Sequence, residues 1–113
     1  VTPGLDGCLW IFTMEQWNSI SGKLGESSLL SADNRSFNRY MLGGAVEAEI
    51  DTIGRILVPD FLKERANLKT KVVLIGVQSR VEIWNEKSWI DYKKVVEKQA
   101  DSLAEKLGQV GIL

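Results

Sequence analysis

The sequence predicts an α+β fold assembled from two β-hairpin-and-helix repeats. Three observations lead there. Gly4-Leu5-Asp6-Gly7-Cys8-Leu9-Trp10-Ile11-Phe12 aligns without gaps on Gly76-Val77-Gln78-Ser79-Arg80-Val81-Glu82-Ile83-Trp84, 72 residues later, and Trp17 then falls on Trp89. Val1/Val73, Gly4/Gly76, Ile11/Ile83 and Trp17/Trp89 are identical, while Leu5/Val77, Leu9/Val81, Phe12/Trp84 and Ile20/Tyr92 keep their apolar or aromatic character. Both copies also run in the same order of strand, turn, strand, aromatic and helix. Finally, the second copy is preceded by a further hairpin signal, Asp51-Thr52-Ile53-Gly54-Arg55-Ile56-Leu57-Val58-Pro59, whose counterpart in the first copy would lie ahead of residue 1. With no initiator Met, the sequence is expected to be a fragment of a two-copy protein lacking the front of its first copy.

Residues 1–12 read as a hairpin around Asp6-Gly7, a favoured type I′ turn pair. Cys8 to Phe12 is almost continuously apolar, which predicts a strand buried on both faces. A helix over 14–24 follows from Trp17, Ile20 and Leu24 at spacings of three and four, and Gly22 and Gly25 weaken its end. A second helix is expected to be capped by Asp33 or Asn34, to bury Phe37, Tyr40 and Met41, and to stop at Gly43-Gly44.

Residues 45–50 alternate, with Val46, Ala48 and Ile50 on one side and Glu47 and Glu49 on the other, predicting a half-buried strand. Turn chemistry at 51–54 leads into a second strand over 55–58. Pro59 ends it and can open a short helix over 60–66 as the first helical residue. Strands over 72–75 and 80–84 form the next hairpin. The last helix, over 87–107, carries Trp89, Tyr92, Val96, Ala100, Leu103 and Leu107 as one stripe and stops at Gly108.

Composition narrows the function. A chain of 113 residues with 44% hydrophobic content fits one small domain or two closely packed halves. No apolar run reaches the roughly 18 residues needed to span a bilayer, and no signal peptide is visible. The lone Cys8 cannot form an internal disulfide, which fits a reducing cytosol, and its place in an apolar run suits a buried small hydrophobe. With no His and one Cys, neither a zinc site nor a His-based triad is expected. Glu15, Glu82, Glu86 and Asp91 make no recognisable catalytic pair and no Gly-rich phosphate loop follows a strand, so no enzyme and no cofactor are read. A net charge of −1 is not that of a typical nucleic-acid binder, so any such function needs a local basic surface.

Asp51-x-x-Gly54-Arg55 is the sharpest local motif. Asp can accept backbone N–H groups in an Asx-turn, Gly permits positive φ, and Arg emerges at the tip of a strand. An Arg fixed there can present its planar fork to phosphate or to a guanine edge. The alternative is a plain turn with an Asp51–Arg55 surface pair worth about 0–1 kcal/mol. Lys63 and Arg65 follow on the short helix and could track phosphates with Arg55, or be solvated charges balanced by Asp60 and Glu64. Arg35 and Arg39 are expected to make interface or intra-copy pairs and not DNA contacts, given Glu47 and Glu49 nearby in sequence. Repeat-matched Trp10, Trp17, Trp84 and Trp89 are expected to pack at strand–helix junctions.

The run Asp51 to Pro59, with Leu62, Ala66, Leu68 and Val72-Val73-Leu74-Ile75-Gly76, resembles the MraZ family. So do Arg80-Val81-Glu82-Ile83-Trp84 and Trp89, Gly4-Leu5-Asp6-Gly7-Cys8-Leu9-Trp10, and Arg39-Tyr40-Met41-Leu42-Gly43-Gly44-Ala45-Val46. The resemblance covers essentially the whole chain. It implies a pseudo-dimer of two SpoVT/AbrB-like repeats, their hairpins swapped into a double-psi type barrel with flanking helices. The remainder of the first repeat with its connecting helix would be residues 1–43, and the second repeat with its C-terminal helix 46–107. It further implies a bacterial DNA-binding transcriptional regulator of the division and cell-wall gene cluster, in the cytoplasm and nucleoid. Such a protein binds promoter repeats in double-stranded DNA and forms rings. The family's Asp-x-x-x-Arg signature is present once here, as Asp51 and Arg55. The reading from another class is an oligomeric protein-interaction scaffold that does not bind DNA. A third is an antitoxin-like module of the same fold.

Overall fold

The computed structural model describes all 113 residues as one open antiparallel sheet with four helices. In chain order the elements are β1 (Thr2–Pro3), β2 (Leu9–Ile11), α1 (Met14–Gly25), α2 (Ala32–Met41), α3 (Asp60–Arg65), β3 (Val72–Gly76), β4 (Val81–Asn85) and α4 (Glu86–Gln109). The strand order β1-β2-β4-β3 places the two hairpins side by side, joined through β2 and β4.

The near-repeat is visible in this arrangement. Thr13 and Asn85, 72 positions apart, are both N-caps, accepting from the backbone N–H of Gln16 and Ser88. A side-chain oxygen at this position satisfies one of the N–H groups that a helix start leaves free. Thr13 also closes a capping box with Gln16. The gapless alignment fails within the hairpins. Thr2 opposes Trp10 whereas Ile75 opposes Glu82, so β1 and β3 are related by 73 positions and not 72. The first loop, Gly4 to Cys8, is one residue longer than the second, Val77 to Arg80. Gly4 and Gly76 are therefore not equivalent. Gly4 is required for another reason: a Cβ there would lie 2.6 Å from the Trp10 ring. Asp6 and Gly7 both adopt positive φ, as the expected type I′ pair demands.

One core serves both halves. Leu9 of β2, Ile83 of β4, and Leu62 and Ala66 of α3 and its C-cap form the fully buried cluster. Val1, Ile11, Val46, Val58 and Leu68 pack around it. On the other sheet face Trp84 packs on Trp89 and Tyr92 of α4, with ring centroids 5.3 and 4.9 Å apart. Phe12 packs on Trp17 of α1 at 6.0 Å. Trp17, Trp84 and Trp89 thus sit at the strand–helix junctions, whereas Trp10, in the middle of β2, meets Glu82 and Arg80 instead.

Several expectations are corrected. The cap of α2 is Ser31, which accepts from Asn34 N–H, and not Asp33 or Asn34. Pro59 is the cap residue of α3 and not its first helical residue. Residues 45–50 and 55–58 are not laddered strands. Val46 exchanges two hydrogen bonds with Val1 and Asp51 closes a turn with Arg55, but no backbone–backbone hydrogen bond involves 47–50 or 56–58. An extended segment becomes a strand only beside a partner, and these arms have none along most of their length. The sheet accordingly stays open and no barrel closes. The accessible surface, 8358 Å² for 12.6 kDa, exceeds the roughly 6,200 Å² typical of a self-contained monomer of that mass.

Candidate nucleic-acid interface

The tip at residues 51–55 is ordered by one carboxylate. Asp51 Oδ1 accepts the backbone N–H of Arg55 at 2.8 Å and of Ile53 at 3.0 Å. The Asp51 N–H donates to the Arg55 carbonyl at 2.8 Å, and Gly54 N–H donates to the Asp51 carbonyl at 3.1 Å. Gly54 takes φ +86, a region closed to most side chains. The Asx-turn foreseen from the sequence therefore exists, and it aims the arginine. Arg55 Nε donates to Asp51 Oδ2 at 3.1 Å. Its two terminal nitrogens have no protein partner, and the side chain is 73% exposed. The free edge, with both terminal nitrogens, can still bind a phosphate or a guanine in bidentate fashion. The backbone N–H of Arg55 is the main influence holding the Asp51 carboxyl below its usual range, helped by the Arg55 side chain and the N–H groups of Ile53 and Gly54.

Lys63 and Gly54 line the same groove, about 960 Å³, between the arms 46–58 and the apolar face of the sheet. Its walls are mainly apolar, with Ile50, Ile56, Leu57, Val72 and Leu74 among them. Lys63 Nζ lies 3.2 Å from Asp60, an exposed pair worth about 0–1 kcal/mol that a phosphate could displace. Arg65 is not brought to this groove. Its guanidinium lies over the Tyr40 ring at 4.8 Å, tying α3 to α2. Tyr40 in turn donates its hydroxyl to the Gly4 carbonyl. Lys69 lines the groove beside Lys63 and has no ion-pair partner. The exposed Lys69-Thr70-Lys71 turn was the available signal for it.

Other charged residues take different roles from those expected. Arg35 donates to the Leu29 carbonyl at 2.8 Å, and neither Arg35 nor Arg39 forms an ion pair with Glu47 or Glu49. Cys8 is 1% exposed, and burial, then the nearby Glu82 charge, push its thiol up to about 12. No three His, Cys, Asp or Glu side chains converge as a metal site. No helix is long and apolar enough to cross a membrane.

Fold and site together define an α+β protein of two hairpin-and-helix units, with an arginine-bearing turn ahead of the second. Residues 41–109 match the family model described as "MraZ protein, putative antitoxin-like". The chain is 42% identical to the transcriptional regulator MraZ of Thermoanaerobacter pseudethanolicus over 112 residues, covering 99% of this chain and 78% of that protein. It is 43% identical, with the same coverage, to the protein of that name from Clostridium beijerinckii. Against that of Heliobacterium modesticaldum it is 43% identical over 106 residues, 94% of this chain and 74% of that one. The chain belongs to the MraZ family.

Proposed function

We propose that this chain is a sequence-specific DNA-binding transcriptional regulator that acts as a ring-forming oligomer on promoter repeats of the division and cell-wall gene cluster. The observation that carries the reading is the Asp51–Arg55 turn, which presents a pre-oriented guanidinium with both terminal nitrogens free. The names of its relatives support the regulator role. In this reading residues 1–43 are the remainder of a first SpoVT/AbrB-like repeat with its connecting helix, and 46–107 are the second repeat. Together they belong to a swapped-hairpin pseudo-dimer. Arg55 contacts a base edge or phosphate, and Lys63 contacts phosphate once released from Asp60. Arg65 contributes through its long-range charge while stacked on Tyr40. Multiple tips on one ring multiply weak single contacts on spaced repeats. The protein would work in the cytoplasm, on the nucleoid. No catalytic step enters this reading.

The test is fluorescence anisotropy with a repeat-bearing duplex at two salt concentrations. Affinity is expected to fall steeply with salt, because phosphate contacts release counterions. Arg55→Ala should weaken binding by about 1–3 kcal/mol, or lower the log–log salt slope by about one if the contact is to phosphate. An Arg55→Ala protein with unchanged affinity and slope would remove Arg55 from the interface. An oligomer with no duplex affinity at low salt would favour the scaffold reading.

A further inference from the structure

The sheet is close to two-fold about its centre. β2 pairs with β4 as Leu9↔Ile83, Trp10↔Glu82 and Ile11↔Val81. When each residue is exchanged for its counterpart 72 positions away, the same three pairings return. The flanking pairs stay apolar under this exchange. The central pair alone changes in kind, since Trp10 in the first copy is Glu82 in the second. If β4 paired with β4 of another molecule in the same register, Val81 and Ile83 would still meet. Glu82 would then face Glu82. Nothing in the flanking pairs discriminates against that arrangement.

We propose that the Trp10–Glu82 pair is a partner-selecting device: it directs the second hairpin onto the first-repeat strand and away from a second copy of itself. The geometry around Glu82 carries this. Its side chain is only 12% exposed. Oε2 accepts the Trp10 indole N–H at 2.9 Å and Arg80 Nε at 3.1 Å. Oε1 accepts the Trp84 indole N–H at 3.1 Å. The Arg80 guanidinium also lies 4.6 Å from the Trp10 ring centroid. A β4–β4 pair would keep Arg80 and Trp84 but lose the Trp10 donor and the ring beneath Arg80. It would also set two shielded carboxylates directly opposite, with Cβ atoms about 4.5–5.5 Å apart, where like charges repel. A buried carboxylate deprived of a donor costs more than an exposed one. The discrimination therefore combines a lost donor, a lost cation–π contact and repulsion. It is independent of the DNA-binding reading.

The test removes the charge and reads the homotypic register directly. In a Glu82→Cys protein the two substituted positions face each other only in a β4–β4 pair, within disulfide reach. The native thiol does not compete, because Cys8 is 1% exposed and its burial raises the thiol pKa whether or not Glu82 is present. After mild oxidation, at least about tenfold more linked dimer is expected than from an Asn18→Cys control on the exposed face of α1. Equal cross-linking in the two, with both folded by circular dichroism, overturns the proposal. Glu82→Gln, which keeps size and an acceptor oxygen, gives a second readout. Isotopically labelled and unlabelled chains are unfolded, mixed and refolded, and β4–β4 pairs are counted by isotope-filtered NOEs between Val81 of one chain and Ile83 of another. The variant should form about tenfold more of them than wild type. A variant that only melts earlier, with the wild-type level of β4–β4 pairs, makes Glu82 a packing contact and nothing more.

Discussion

The two hairpin-and-helix units begin alike and end differently. Thr13 and Asn85 cap their helices at matching positions, and Trp17 and Trp89 follow at the same distance. Yet α1 has 12 residues and α4 has 24. The breakers explain this. Gly22 and Gly25 fall inside and at the end of α1, each costing about 1 kcal/mol of helix propensity, whereas α4 meets no glycine until Gly108. The aromatic contacts differ as well. In the second unit Trp84 is buried and touches two rings within 5.3 Å, while the first unit's contacts from Phe12 are 6.0 and 6.1 Å. The repeat thus specifies the strand–helix junction, and residues outside the matched positions set helix length and packing tightness.

The shared core offers the most forceful way to break this comparison. Leu62 is fully buried against Leu9 of the first unit and Ile83 of the second. Leu62→Ala should cost about 2–5 kcal/mol, the range for a buried leucine whose site cannot collapse. Urea unfolding followed by tryptophan fluorescence and by circular dichroism should give one coincident transition. Two separate transitions would mean that the units fold independently and that the common core is a minor tie.

A second substitution pair asks whether packing differs as the geometry says. Trp84→Ala should lose about 3–5 kcal/mol, because a buried indole and its hydrogen bond to Glu82 both disappear. Phe12→Ala, at the half-buried repeat counterpart of Trp84 in the first unit, should lose distinctly less. Equal losses from the two would show that the repeat imposes equal packing despite the centroid distances.

Much of this was legible from residue order. Period-three-and-four apolar spacing located α1, α2 and α4, and Asp6-Gly7 located the first turn with its positive φ values. The Asp51–Arg55 turn was legible because Asp and Gly at those positions close such a turn through local bonds alone. Features that depend on distant partners were not. Residues 45–50 alternate like a strand, but alternation records burial and not pairing, and most of their backbone pairs with nothing. The one-residue difference between hairpin loops was hidden because glycines happened to align. Sequence spacing likewise could not reveal Tyr40 lying under the Arg65 guanidinium.

The smallest effect is expected at the Asp51–Arg55 turn that precedes the second unit. Here the expected effect is small, since Asp51 and Arg55 are exposed, and it concerns local order and not global stability. The folded-state pKa of Asp51 is held below its ordinary 3.8, chiefly by the Arg55 backbone N–H. A depressed carboxylate contributes above its unfolded pKa and loses that contribution as pH falls through the folded one. The turn should therefore hold at neutral pH and loosen only below pH 3.8. Backbone amide shifts of Ile53 and Arg55, followed by NMR down an acid titration, should share one midpoint under that value. Loosening of Arg55 at a higher pH would show that the carboxylate does not fix the arginine. The guanidinium would then reach any nucleic acid as a mobile charge, without the fixed fork that base recognition needs.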